Sequence, residues 1–377
     1  MTDKQTVKFG DICKEVKLTT KDPIGDGYER YIGLEHLDSG SLKIKRWGMI
    51  AEDNPSFTRV FKKGQILFGK RRPYLKKAAI AEFDGICSSD IIVLESKNDD
   101  VVLKEFLPFI VQSNYFWGWA IKTSSGSLSP RTKFKLLADC VLKKLDLYEQ
   151  RSLLNQLLRL AENEEKIQET LSSAFQLKRV LLSKLLSMGS GDDCRQVKLK
   201  EVIEIQSGQV DPKHEPYINL PHIAPDNMEK ATGRLLEYRT AYEDAVTSGK
   251  YYFDSEWILY SKIRPNLRKL CNPGFSGVCS ADVYPIKGKN GLLTDYLFYL
   301  LQSEHFNQYA ISTSTRSGFP KINRDDLGAY KFLLPGKEYQ KQFVKRLQEL
   351  DQVIENLIIS LGCPLQLRNS ILDSEIS

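Results

Sequence analysis

No Cys-x-x-Cys pair occurs anywhere in the 377 residues, and the seven cysteines are odd in number and widely spaced. That distribution argues against a disulfide framework or a zinc ribbon and for reduced thiols in a cytoplasmic protein. The four histidines, His36, His214, His222 and His305, lack metal-ligand spacing. No glycine-rich loop ends in Gly-Lys-Ser/Thr, which removes a Walker nucleotide site. No apolar run is long enough to span a bilayer, and the opening Met1-Thr2-Asp3-Lys4-Gln5 is too polar for a signal peptide. A net charge of +6 is modest for this length. Affinity for nucleic acid would therefore have to come from local basic clusters and not from a polycationic tail.

Catalytic patterns are equally scarce. Asn272-Pro273-Gly274-Phe275 is superficially similar to the Asn-Pro-Pro-Phe loop of amino-methyltransferases, but the second proline is missing and no Phe-x-Gly-x-Gly loop accompanies it. Pro225-Asp226 followed by Glu229-Lys230 has the wrong Glu-Lys spacing for a metal-dependent nuclease strand. No catalytic residue, metal ligand or bound cofactor is expected on this chain. Cys87 and Cys279 stand among apolar residues, where a buried structural thiol is the expectation.

What is present is a long helical pattern. Over 148–188, Leu153, Leu157, Leu160, Ile167, Leu171, Ala174, Leu181, Leu185 and Met188 recur mostly at steps of three and four, with no Gly or Pro before Gly189. Leu154, Leu158, Leu177 and Leu182 flank this seam and would widen it. At 1.5 Å per residue the helix would be on the order of 60 Å long. A second seam, Phe343, Leu347, Leu350, Ile354, Leu357, Leu361 and Ile371, lies 190 residues further on.

The fixed separation points to an internal repeat. Ile66-Leu67-Phe68-Gly69-Lys70-Arg71-Arg72-Pro73 matches Ile258-Leu259-Tyr260-Ser261-Lys262-Ile263-Arg264-Pro265, and Gly85-x-Cys87-Ser88-x-Asp90 matches Gly277-x-Cys279-Ser280-x-Asp282. Tyr31-Ile32-x-Leu34-x-His36 matches Tyr217-Ile218-x-Leu220-x-His222, which makes His36 and His222 equivalent and implies about six extra residues between His222 and Phe253. The fold class is α+β, with two tandem-duplicated globular domains each followed by a long helix. The expected boundaries are 1–146, 147–189 (helix), 190–336 and 337–377 (helix), with Gly189-Ser190-Gly191 as a hinge. Strands are expected over 31–37, 65–68, 78–82 and 91–94, and a helix over 106–121. Gly362-Cys363-Pro364 should kink or break the last helix near Pro364, leaving a less regular final segment.

The positive functional signal is basic. Lys70-Arg71-Arg72-Pro73-Tyr74-Leu75-Lys76-Lys77 places five cations and an aromatic in eight residues, and Lys262, Arg264, Asn266, Arg268 and Lys269 repeat the run. Along an extended segment, alternate side chains would share one face and could neutralise phosphates or pair with guanine. Two polar loops, 123–131 and 312–321, add Ser125, Ser127 and Arg131 in one half and Arg316 and Lys321 in the other. Hydroxyls and exposed amides on such loops suit phosphates or base edges.

This order of globular domain, long helix, globular domain, long helix, with Ile-Leu-Phe/Tyr-x-Lys-x-Arg-Pro-x-Leu in each half and Phe175-Gln176-Leu177-Lys178-Arg179 closing the first helix, resembles the specificity subunits of type I restriction-modification systems. The resemblance covers essentially the whole chain. It implies that each globular domain is a target-recognition domain for one half of a bipartite double-stranded DNA site. It also implies an antiparallel coiled coil of the two helices, seamed by Leu153, Leu157, Leu160, Ile167, Leu171, Leu181 and Leu185 against Phe343, Leu347, Leu350, Ile354, Leu357 and Leu361. Two modification subunits would dock beside it carrying S-adenosylmethionine, with restriction subunits as an optional addition. The alternatives are a stand-alone DNA methyltransferase or nuclease, which needs the cofactor loop or metal cluster not found above, and a coiled-coil adaptor that binds protein only.

Overall fold

A computed structural model describes residues 6–97, 99–184, 194–314 and 320–377. The chain forms two units, Met1–Gln168 with Ile359–Ser377, and Glu169–Ile358. Each unit takes part of both long helices, Leu147–Lys184 and Lys337–Ile376. The expected Gly189-Ser190-Gly191 hinge and Leu185 lie outside the described residues.

In the first unit, Cys13–Val16, Ile91–Ser96, Ile66–Gly69 and Ala78–Ile80 lie side by side in one antiparallel sheet. A second sheet orders Gly48–Met49, Arg30–Ile32, Gly85–Cys87 and Arg59–Phe61, with one parallel pair at its centre. The second unit repeats both orders with Ile203–Ile205, Val283–Gly288, Ile258–Ser261 and Leu270–Cys271, and with Arg239–Thr240, Pro221–Ile223, Gly277–Cys279 and Tyr251–Phe253.

Strand register corrects one part of the sequence match. Ile32 lies opposite Cys87 and Ile223 opposite Cys279, so Ile32 corresponds to Ile223, an offset of 191 (223 − 32). Pairing Tyr31…His36 with Tyr217…His222 was therefore off by five residues. The supposed insertion shrinks to a single residue, since Phe61 and Phe253 face Gly85 and Gly277 at an offset of 192 (253 − 61). His36 and His222 are not equivalent. The counterpart of His36 is Asn227: the Gly33 amide donates to His36 Nδ1 (3.0 Å) and the Ala224 amide to Asn227 Oδ1 (2.8 Å), each closing a short 3-10 turn. His222 sits on a strand with its Nδ1 2.8 Å from Asp244.

The strand expected over 31–37 ends at Ile32, where the 3-10 turn Leu34–His36 takes over. The helix expected over 106–121 is two helices, Leu107–Gln112 and Asn114–Lys122, because extended Ser113 interrupts it and caps the second through a hydrogen bond from Phe116 N (3.1 Å). Ser303 does the same between Thr294–Gln302 and Glu304–Ser314.

Both long helices are built into the cores of the units. Leu157, Leu372 and Ile376 pack with Phe9, Phe106 and Phe116 in the first unit, and Leu182, Phe343 and Leu347 with Tyr296, Leu300 and Tyr330 in the second. Each such side chain contributes roughly 1.5–3 kcal/mol. Along the seam Leu157, Phe343, Leu347 and Ile354 are buried, and Leu153, Leu160, Ile167, Leu171, Leu181, Leu350, Leu357 and Leu361 partly so. Leu158 and Leu177 are exposed, so the stripe is narrower than expected.

A buried glutamine anchors the start of each helix. Gln150 donates to the carbonyls of Val101 and Leu145 and accepts from Leu103 N, and Gln340, 190 residues on, repeats this with Gly291, Pro335 and Leu293. Buried cations occupy a second equivalent pair of positions. Arg368 pairs with Glu164 (3.3 Å) and donates to the Gly40 carbonyl. Lys178 pairs with Asp351 (2.7 Å), which also accepts from the Tyr299 hydroxyl.

The break expected at Pro364 does not occur. Lys337–Ile376 is one continuous helix with Pro364 inside it. Proline there forfeits a helix hydrogen bond, at about 3 kcal/mol. The segment beyond it is held by Arg368, by buried Leu372 and Ile376, and by Asp373, which accepts from Asn114 Nδ2 and Tyr115 N.

Candidate nucleic-acid interface

The two basic runs are tight turns and not extended segments. Ile66–Gly69 leads through Lys70 into the 3-10 turn Pro73–Leu75, which is flanked by Arg72 (φ 53°) and Lys76 (φ 48°). In the second unit the turn Pro265–Leu267 is flanked by Arg264 (φ 47°) and Arg268 (φ 49°). Left-handed backbone costs a residue with a Cβ roughly 1–2 kcal/mol and is normally given to glycine. Here all four positions carry cations, the kind of retained strain that accumulates at functional sites.

Backbone hydrogen bonds dock each turn onto the polar loop of its own unit. The Arg72 amide donates to the Pro130 carbonyl (2.7 Å) and the Thr132 amide to the Lys70 carbonyl (3.0 Å). In the second unit Arg264 N donates to Pro320 O (2.8 Å) and Ile322 N to Lys262 O (2.9 Å). The repeated Gly-x-Cys-Ser-x-Asp stretch supports these turns. A Cβ on Gly85 would come within 2.5 Å of the Arg30 carbonyl, and one on Gly277 within 2.6 Å of the Phe253 ring. Cys87 and Cys279 are buried on the same strands, and burial pushes the Cys87 thiol up to about 12 and the Cys279 thiol higher still. Ser88 and Ser280 accept from the amides of Asp90 and Asp282 and so orient the two carboxylates.

Asp90 organises the first site. Its carboxylate accepts from Arg131 Nε (2.9 Å) and Arg71 Nη1 (3.4 Å). Partial burial alone would raise its pKa, but the hydrogen bond and charge of Arg131, followed by Arg71, hold it below the ordinary carboxylate value. Ser129 Oγ accepts from both Arg71 Nε (3.2 Å) and Arg72 Nε (3.3 Å). The result is one exposed edge carrying Arg72, Tyr74, Ser125, Ser127 and Arg131, with Arg71 half-buried behind it. Leu128 stands at the loop tip, 90% exposed.

Five of the predicted cations turn inward. Lys77 donates to the Leu34 carbonyl (2.7 Å) and Lys269 to the Pro225 carbonyl (2.8 Å). Lys76 is held by Asn114 (2.7 Å) and Arg268 by Glu304 (2.6 Å). Lys262 packs over Tyr284 beside Asp282, and burial, then the charge of Lys321, lowers its pKa. The exposed residues of the second site are thus Arg264, Asn266 and Lys321. Arg316 lies outside the described residues. What the sequence runs did not reveal is a basic cleft beside the first site, lined by residues from several separate stretches that include Lys17, Arg59, Lys97, Lys133 and Lys135. Among the described residues no group of His, Cys, Asp and Glu is arranged to hold a metal ion, and no helix is long and apolar enough to cross a membrane.

Two α+β units with matching cationic turns, each carrying parts of two long helices, define a class that comparison with known proteins makes specific. Residues 191–360 match the family model described as the type I restriction modification DNA specificity domain. The chain is similar to the specificity subunits of type I restriction-modification systems. It is similar to the EcoDI specificity subunit of Escherichia coli, at 40% identity over 134 residues, which is 36% of this chain and 30% of that protein. It is similar along most of its length to the MjaVIII specificity subunit of Methanocaldococcus jannaschii, at 24% identity over 94% of this chain and 87% of that one. Two solved structures share the fold. One, from work on complex assembly and conformational transition of a type I restriction-modification system, has a TM-score of 0.59 at 20% identity, over 98% of this chain and 97% of that one. The other, an S subunit from M. genitalium, has a TM-score of 0.54 at 13% identity, over 98% and 94%.

Proposed function

We propose that this chain is the non-catalytic DNA-specificity subunit of a cytoplasmic type I restriction-modification complex, reading a bipartite, asymmetric double-stranded site with one half-site per globular unit. Its two long helices pair as an antiparallel coiled coil that sets the spacing of the half-sites. Two modification subunits dock along them and supply S-adenosylmethionine and methyl transfer, and restriction subunits join in systems that cleave. The observation that carries this reading is the repeated turn in which Arg72 and Arg264 are exposed at positive φ and docked on the polar loop of their own unit. A guanidinium held in this way is preorganised for phosphate or guanine, where a bidentate pair gives about 1–3 kcal/mol of base discrimination.

The halves differ where bases would be read. Arg71 and Tyr74 stand where the second unit has Ile263 and Asn266, and unlike half-sites follow. The test is selection from a randomised duplex pool by the chain assembled with its modification subunit, followed by sequencing of the methylated positions in a host that expresses both. Two separated, unlike base clusters with methylation confined to that motif are expected. Enrichment of a single uninterrupted motif would refute the half-site assignment, and methyl transfer by this chain without a partner would refute the non-catalytic role.

A further inference from the structure

We infer that the first unit carries, beside its base-reading edge, a binding track for the phosphodiester backbone of double-stranded nucleic acid; this rests on the function proposed above. Lys17, Arg59, Lys70, Lys97, Lys133 and Lys135 line one cleft, against only two carboxylates, Glu15 and Asp139. Glu15 is committed to Arg59 (2.9 Å) and also lies 3.7 Å from Lys17, whose side chain is 74% exposed. Asp139 is paired with Lys8 (3.5 Å). Lys97 donates to the Gly10 carbonyl. Among the described residues, Lys70, Lys133 and Lys135 make no ion pair. The buried hydroxyl of Thr132, on the cleft wall, has no hydrogen-bond partner.

The cleft is continuous with the candidate reading edge. Lys70 begins the cationic turn, and the 131–133 segment runs from Arg131 on that edge to Lys133 in the cleft. A duplex seated on the edge would therefore extend its backbone into the cleft, and this favours nucleic acid over an acidic protein surface. Strand register identifies the equivalent positions of the second unit as Ser207, Tyr251, Lys262, Lys289, Asn323 and Asp325. Two of these are cations where the first unit has six, and Asp325 adds a negative charge. At the positions of Gly10 and Phe134 the second unit adds Lys200 and Arg324, the latter donating to the Gln206 carbonyl, and at those of Glu15 and Asp139 it has Ile205 and Ala329. The scaffold is shared and the cations are redistributed, six facing two carboxylates in the first unit and Lys200, Lys262, Lys289 and Arg324 facing Asp325 in the second.

Phosphate contacts release counterions, each changing the slope of log affinity against log salt by about 0.9. The triple variant Lys17→Gln, Lys133→Gln, Lys135→Gln should therefore lower that slope by about 2–3. It should weaken target and scrambled duplexes by the same factor, leaving the preference between them unchanged. The measurement is fluorescence anisotropy of the full chain, assembled with its modification subunit, on a target duplex and a scrambled one over a series of salt concentrations. An unaltered slope in a variant whose parent discriminates the two duplexes overturns this inference alone. Retained slope with loss of subunit assembly assigns the cleft to an acidic protein surface and also overturns it. A parent that binds neither duplex overturns both this inference and the function on which it rests.

Discussion

Replacing Arg72 by glycine separates recognition from folding. Arg72 sits at φ 53° and ψ 60°, is exposed, and uses its Nε only to share Ser129 Oγ with Arg71. Glycine relieves left-handed strain of roughly 1–2 kcal/mol, while its freer unfolded chain costs about 0.5–1 kcal/mol. The two effects nearly offset, so stability should stay within about 1 kcal/mol of the parent. In a unit of this size that is roughly 2–4 °C in Tm. The guanidinium is lost in full. If it pairs with a base, discrimination at one position of the first half-site falls by about 1–3 kcal/mol, roughly 5- to 150-fold.

Competition anisotropy with duplexes altered in one half-site or the other, alongside thermal unfolding, makes the comparison. Arg72→Gly and Arg72→Ala should bind alike although their backbones differ in strain, and both should spare the second half-site. Arg264→Gly should give the mirror result. Equal loss at both half-sites, or a fall in Tm of more than about 10 °C on replacement by glycine, would show that Arg72 supports the fold and would refute the assignment.

His36 accepts from the Gly33 amide and so must be unprotonated at Nδ1, and burial lowers its pKa below the ordinary 6.5. The unfolded chain binds the extra proton, so this contribution is complete above about pH 6.5 and is lost as the pH falls from there through the folded value. His36→Asn, which copies Asn227 of the second unit, should remove that acid sensitivity in urea titrations at pH 5 and 8; an unchanged pH dependence would place it elsewhere. Gln340→Leu leaves the Gly291 and Pro335 carbonyls and the Leu293 amide without their partner. At about 1–3 kcal/mol for each buried group left unsatisfied, it should lower the unfolding free energy of the second unit, read from denaturant titration, by several kcal/mol, and a change under 1 kcal/mol would contradict the anchoring role. Asp90→Asn frees Arg131 and Arg71 and removes a negative charge, so filter binding should show tighter binding to scrambled duplex and poorer discrimination at the first half-site. Unchanged discrimination would show that the pair does not set the reading geometry.

The repeat and the helical seam could be read from the sequence because both are periodic, and identity at fixed spacing survives without knowledge of contacts. Register could not. Tyr217-Ile218-x-Leu220-x-His222 mimics Tyr31-Ile32-x-Leu34-x-His36 letter for letter, yet the strand partner that fixes the true offset lies over 50 residues away in sequence at Cys87 or Cys279. The basic runs were evident in composition, but their side-chain directions were not. Alternation assumes an extended chain, whereas left-handed residues at both ends of each turn send Lys77 and Lys269 inward to carbonyls. Proline at 364 obeyed a local rule that tertiary anchors overrode. The basic cleft draws single residues from stretches too far apart to form a run.

The comparison between units separates what the fold needs from what a ligand would need. Gln150 and Gln340, Arg368 and Lys178, Gly85 and Gly277, and Asp90 and Asp282 hold equivalent positions and perform the same structural tasks in each unit. Where stability depends on a residue, the two copies are alike or conservatively changed. They diverge at Arg71 against Ile263, Tyr74 against Asn266, Lys133 against Asn323 and Lys135 against Asp325, and of these residues only Arg71 and Ile263 are even half-buried. Exposed substitutions cost little in folding, usually within about 0.5 kcal/mol, so stability does not dictate their identity. A protein that bound two copies of the same surface would have no use for this divergence. One that reads two different stretches of a duplex requires it.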